Sequence, residues 1–129
     1  MKLTKSMDYA TRVLIVLGRG NTAKMPDLAE KLGIPYNHLV KIVQNLNRAG
    51  FLQTQTGRNG GIRLAKSPAD ISLKDILWAT EGPVLLSECL SGGRDTCILN
   101  GHCKLKETFN ALQGQIDRLF DEVKLAQVM

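Results

Sequence analysis

Residues 25–66 read MPDLAEKLGIPYNHLVKIVQNLNRAGFLQTQTGRNGGIRLAK, and this stretch decides the fold. Pro26 and Asp27 suit the first turn of a short helix, the proline through its fixed φ and the carboxylate through the helix dipole. Gly33 ends that helix. A second helix begins near Pro35 and runs to Ala49, with Leu39, Ile42, Val43 and Leu46 on one apolar stripe and Gly50 as its stop. Ala29 falls where two helices cross closely, Gly33 permits a sharp turn, and Leu39 plugs the angle between them. Small, glycine and apolar at that spacing is a helix-turn-helix pattern. Phe51–Gln55 and Ile62–Lys66 then read as two short strands joined by Thr56-Gly57-Arg58-Asn59-Gly60-Gly61, a glycine-rich hairpin. Helices followed by a two-stranded ribbon make a winged helix-turn-helix.

The outer face of the second of these helices carries Asn37, Lys41, Gln44 and Arg48 at i, i+4, i+7 and i+11, with Tyr36 and His38 at its start. Side chains near the start of a recognition helix reach base edges, and those flanking it hold phosphates. In the hairpin, glycine lets the backbone lie against the phosphates, and Arg58 beside Asn59 can enter a narrow minor groove. These eight residues form the expected DNA-binding set, and the expected partner is double-stranded DNA.

Working outward, an N-terminal helix reads from Ser6 to Leu17 on the stripe Ala10, Val13, Leu14 and Leu17, closed by Gly18. Ser72–Thr80 reads as a further helix with Ile71, Ile76 and Leu77 inward and Trp78 nearby; Pro83–Leu86 is ambiguous between strand and loop. The expected fold is therefore mainly α with a small β wing. The most regular segment comes last. Leu105, Phe109, Leu112, Ile116, Leu119, Val123 and Ala126 alternate spacings of four and three, a heptad seam on a helix from Lys104 to Gln127. A stripe so narrow fits a second helix facing it, which points to a homodimer held along Leu105, Phe109, Leu112, Ile116, Leu119 and Val123.

The charge divides with the fold. The 129 residues carry a net +5, but residues 1–66 hold eleven basic and three acidic side chains, net +8, while residues 67–129 are net −3. A basic half beside an acidic half suggests a polyanion-binding region, 1–66, joined to a region of other purpose, 67–129. At 43% hydrophobic and 22% charged, the composition excludes wholesale disorder. No run of 18 apolar residues exists, so a membrane span is excluded. Asp8 and Arg12 interrupt the apolar patch near the start and no small-residue cleavage site follows, so the expected location is the cytoplasm.

All three cysteines lie in the acidic half, as Cys89-x7-Cys97-x5-Cys103, inside the aperiodic stretch Ser87–His102 and its border. So long a loop needs something to organise it. An odd count argues against a closed disulfide framework, and the pattern lacks the paired CxxC knuckles of structural zinc. Three thiolates on a glycine-containing loop suit an iron–sulfur cluster, which as a rule takes four protein ligands and here has one position open. His102 and Asp8 are both candidates for it, and spacing alone selects neither.

The opening MKLTKSMDYATRVL, the wing with NGGIRL, the Cys-x7-Cys-x5-Cys loop and the LK that begins the last helix together resemble the NsrR/IscR-type family of winged-helix iron–sulfur regulators. The resemblance covers essentially the whole chain and is nearest to the family's nitric-oxide-sensing branch. It implies a repressor that is not an enzyme, a homodimer with crossed long helices on a palindromic operator, and a cluster of the 4Fe–4S type ahead of 2Fe–2S. It also implies that Asp8 from the partner subunit completes the cluster held by Cys89, Cys97 and Cys103. Nitric oxide is the implied effector, with iron supply or redox state as alternatives. The histidine ligand of the other branch corresponds here to Lys106, and the arginine that usually precedes the first wing glycine corresponds to Thr56, with Arg58 two residues on. Three rivals carry different expectations: an iron–sulfur electron carrier or enzyme, a cluster-free thiol-redox regulator, and a structural zinc loop. The first finds no nucleophile–base pair and only two histidines, His38 and His102, to work with.

Overall fold

The computed structural model describes residues 3–92, 96–99 and 101–129. Met1 and Lys2 of the opening motif, and Gly93 and Asn100 of the cysteine loop, lie outside them. The chain folds as α1 (Lys5–Gly18), α2 (Met25–Leu32), α3 (Tyr36–Arg48), β1 (Leu52–Gln55), β2 (Gly61–Leu64), α4 (Leu73–Glu81) and α5 (Lys104–Glu122), with three short 3-10 turns. This is the mainly helical fold with a small antiparallel wing that the sequence led us to expect.

The ends of the elements follow their capping chemistry. Thr4 caps α1, its hydroxyl accepting from the Met7 N–H. α2 carries Pro26 in its first turn and closes on Gly33 at φ 63°, a left-handed conformation that glycine adopts without strain. The Ile34 N–H then returns to the Ala29 carbonyl at 3.0 Å, which turns the chain into α3. Ser72 and Asp75 form a reciprocal capping box at the start of α4, at 2.9 and 3.1 Å, with Ser72 fully buried.

The core is continuous from α1 through α4. Ala10, Val13, Leu14 and Leu17 of α1 pack with Leu28, Leu39, Ile42, Leu46, Ile62, Ile71 and Ile76, each at most 2% exposed. β1 and β2 pair antiparallel with Leu52 opposite Leu64 and Gln55 opposite Gly61. Ala23, in the α1–α2 connection, bonds Ile62 in both directions at 3.0 and 2.7 Å, so the wing's inner strand is held on both edges.

One expectation fails. The last helix does not reach Gln127: α5 ends at Glu122, and Val123 is extended. Val123 and Ala126 therefore lie beyond the helix on which the heptad placed them. The Val123 carbonyl accepts from the Leu73 N–H at 2.9 Å, and the Leu125 N–H donates to Ile71 at 2.8 Å. Leu125 is fully buried in the core beside α1. Burial of a leucine contributes about 1.5–3 kcal/mol, more than another exposed helical turn would. No glycine or proline marks the break, so sequence gave no sign of it.

Candidate functional site

Two sites emerge. On α3, Tyr36, Asn37, Lys41, Gln44 and Arg48 are exposed and share one face at the expected helical spacing. Arg58 and Asn59 are exposed at the wing tip. The tip is built for a tight return: Gly57 has φ 107°, and a Cβ on Gly60 would lie 2.2 Å from the Gln55 carbonyl oxygen. The Asn47 amide donates to the Thr54 hydroxyl at 2.9 Å, tying the end of α3 to β1. Arg63 donates twice to Gln53 across the wing, at 3.3 and 3.0 Å. Asn47 was not among the expected residues, and its place in the helix carries no pattern that would have found it.

His38 does not join this face. Its half-buried ring turns back toward α1, with Nε2 3.2 Å from the Ser6 hydroxyl and the Tyr9 ring edge-on to it at 5.2 Å and 71°. The expectation that His38 contacts DNA is thus met by a side chain already engaged with the first helix.

The second site is a cavity of about 530 Å³ where the 3-10 turn Glu88–Leu90 meets the start of α5. Cys89, Cys97 and Cys103 all line it, together with Leu105, Lys106 and Phe109. Cys103 caps α5, its sulfur accepting from the Lys106 N–H at 3.4 Å, which satisfies one of the helix's orphan donors. The Cys89 sulfur lies 3.2 Å from the Ser87 hydroxyl. Gln113 is the buried polar anchor of this region: its side-chain oxygen accepts from the Leu86 N–H at 3.0 Å and its amide donates to Asp117 at 3.2 Å. It fixes the segment that leads into Cys89. Its spacing from Phe109, Ile116 and Phe120 puts it on their face of α5, so a lone polar residue on an apolar face was the legible signal.

Among the described residues, no three His, Cys, Asp or Glu side chains converge as the ligands of a single ion would. The three sulfurs share a space, not a point. Three thiols lining one space are a donor set that an iron–sulfur cluster can use. Among the described residues the lining also includes the acidic residue Glu88, whereas His102 is exposed and outside it. Asp8 is also outside it: exposed on α1, its two carboxylate oxygens accept from Arg12 at 2.9 and 2.8 Å. Lys106 lines the cavity at the position where the resemblance's other branch has histidine.

On α5 the stripe splits. Phe109, Ile116 and Phe120 are half-buried, whereas Leu105, Leu112 and Leu119, one heptad apart, are 56%, 42% and 63% exposed. Among the described residues no helix is long and apolar enough to cross a membrane.

Comparison with known proteins bears on both sites. The sequence pattern of the Rrf2 family, described as an iron-dependent transcriptional regulator, matches residues 3–129. The HTH-type transcriptional regulator NsrR of Bacillus licheniformis is 39% identical over 133 residues, covering 100% of this chain and 92% of the relative. Among solved structures, T. potens IscR superposes with a TM-score of 0.75 at 21% identity, covering 99% of this chain and 85% of that one. CymR, the global cysteine regulator of B. subtilis, does so with 0.78 at 20% identity, covering 99% and 95%.

Proposed function

The chain belongs to the Rrf2 family of transcriptional regulators, and from that premise we propose that it represses transcription through an iron–sulfur cluster that senses nitric oxide. It is a DNA-binding regulator, not an enzyme. The observation that carries the finer reading is the convergence of Cys89, Cys97 and Cys103 on one cavity. In this reading those thiolates hold the cluster, 4Fe–4S ahead of 2Fe–2S, and Asp8 of the partner subunit supplies the remaining bond. When bound, the cluster would supply iron chemistry open to nitric oxide, and the Asp8 carboxylate, a poorer match for that iron than a thiolate, would be the ligand most readily exchanged.

The chain's own residues do the rest. Leu105, Leu112 and Leu119 present an apolar row that a second α5 covers, giving a homodimer. Two copies of α3 then face successive major grooves of a palindromic operator, with Tyr36, Asn37, Lys41, Gln44 and Arg48 at bases and phosphates and Arg58 and Asn59 at the flanking minor groove. Asp8 lies in the first turn of α1, the helix against which α3 packs, so whether its carboxylate is held by Arg12 or by the partner's cluster cavity biases how α3 is presented. Two DNA-binding arrangements with different preference for the ligated Asp8 are all that sensing requires.

Anaerobic purification followed by absorption and Mössbauer spectra, with iron and sulfide counts, tests the cluster. A colourless chain unable to take up iron and sulfide refutes it. A gel-shift titration on the chain's own upstream DNA, cluster-loaded against cluster-free and with or without nitric oxide, tests the sensing; equal affinities in all arms would refute that part.

A further inference from the structure

At the start of the recognition helix, His38 is the polar member of the expected DNA-binding set that points away from the reading face. Its neighbours Tyr36 and Asn37 are exposed, and the next residue, Leu39, is fully buried. The imidazole sits between these two environments and meets α1 through two directional contacts, the 3.2 Å approach of Nε2 to the Ser6 hydroxyl and the edge-to-face contact with Tyr9. Ser6 and Tyr9 are three residues apart and share one side of α1; Asp8 and Arg12, four apart, share another. The turn that offers Asp8 to solvent on one side therefore grips the recognition helix on the other.

The buried residues that α1 and α3 bring to the shared core, Ala10, Leu14, Leu39 and Ile42 among them, are apolar. Such packing is non-directional and tolerates small slides, whereas a hydrogen bond and an edge-to-face ring pair fix an angle. We propose that His38 is the positioning residue through which the first turn of α1 sets the angle of the recognition helix. For its bearing on sensing the proposal rests on the reading of Asp8 as a cluster ligand; the link from α1 to α3 stands without it.

The test is a double-mutant cycle on the full chain. Tyr9→Ala, His38→Ala and the pair are titrated by fluorescence anisotropy against a duplex that the wild-type chain binds, in whichever form, cluster-loaded or cluster-free, binds it more tightly. Loss of one ring contact is expected to weaken binding on the order of three- to tenfold. Either single substitution should show this loss, and the double should be no weaker than the single ones. Tyr9→Phe, which keeps the ring, should match wild type, and His38→Gln, which keeps a partner for Ser6, should recover part of the loss. A merely structural defect would not be rescued in this way and would lower the thermal unfolding midpoint in step. Tyr9→Ala without effect on affinity, or effects that multiply in the pair, would show that His38 is an ordinary DNA contact and overturn the proposal.

A second arm reads sensing: the ratio of cluster-loaded to cluster-free affinity should collapse toward one in His38→Ala while iron content stays at the wild-type level. A ratio unchanged by the substitution overturns the sensing role. A wild-type chain that takes up no iron or sulfide refutes the cluster reading and leaves the cycle to decide His38.

Discussion

Replacing Arg58 by Ala in each subunit should change the salt dependence of DNA binding by an amount that can be stated in advance. The recognition helix and wing tip together expose Lys41, Arg48 and Arg58, three cations per chain. In the proposed dimer these cations would neutralise about six phosphates, which corresponds to a slope of log affinity on log salt near −5 for duplex DNA. Between about 50 and 200 mM salt the wild-type affinity should then fall by roughly three orders of magnitude. Arg58→Ala removes two contacts per dimer, so the slope should move to about −3.5 and the fall over the same range to roughly two orders. Anisotropy titrations at four salt concentrations measure this directly. Lys66→Ala is the charge-matched control, since the Lys66 ammonium lies 5.7 Å from the Phe51 ring centroid at the far end of the wing. A slope that Arg58→Ala leaves where it was, or that Lys66→Ala moves equally, would refute the placement of the wing tip on the duplex. A wild-type slope near half the expected value would instead indicate one chain per site.

Three further outcomes follow from the packing. Leu125→Ala removes a fully buried side chain from the core and should cost about 2–5 kcal/mol, read as a lower urea midpoint; a change within error would mean that the chain after α5 is not docked. Gly60→Ala puts a methyl 2.2 Å from the Gln55 carbonyl, and backbone cannot yield as a side-chain tip does. DNA affinity should drop while the helical circular dichroism and its melting stay close to wild type; unchanged affinity would remove the wing from the interface. Leu112→Glu charges the middle of the exposed row on α5, and sedimentation should report monomer at concentrations where the wild type is dimeric. A dimer of undiminished affinity would move the subunit contact elsewhere.

The parts legible in the sequence were those with a local period. The α1 and α3 stripes, the Gly33 turn and the glycine hairpin each depend on neighbours within a few residues, and the structure has them where the pattern put them. What escaped was decided by distant partners. The end of α5 depends on Ile71 and Leu73, some fifty residues earlier in the chain, which offer Val123 and Leu125 backbone bonds and a place in the core. His38 stands 100° of helix from both exposed Asn37 and buried Leu39, so only the position of α1 could say which way it turns. The cysteine spacing did not say that the three thiols line one cavity, and the Leu86 N–H bond to Gln113 that fixes the segment leading into Cys89 joins residues 27 apart.

The proposed exchange of Asp8 between Arg12 and a partner's cluster would start from the pairing seen here. Both oxygens are engaged, so ligation elsewhere requires at least one of these bonds to open. The pair is about half exposed on each side, and exposed i,i+4 ion pairs contribute only about 0.3–0.5 kcal/mol. Exchange of Arg12 for another partner therefore costs little, whereas breaking a buried pair would cost roughly 3–5 kcal/mol and would hold α1 in one arrangement. Arg12 holds the carboxylate on the same turn that carries Ser6 and Tyr9, which gives one defined arrangement of α1. A switch needs two defined arrangements of similar free energy, and a weak pair at the first turn of the helix behind the reader supplies one of them.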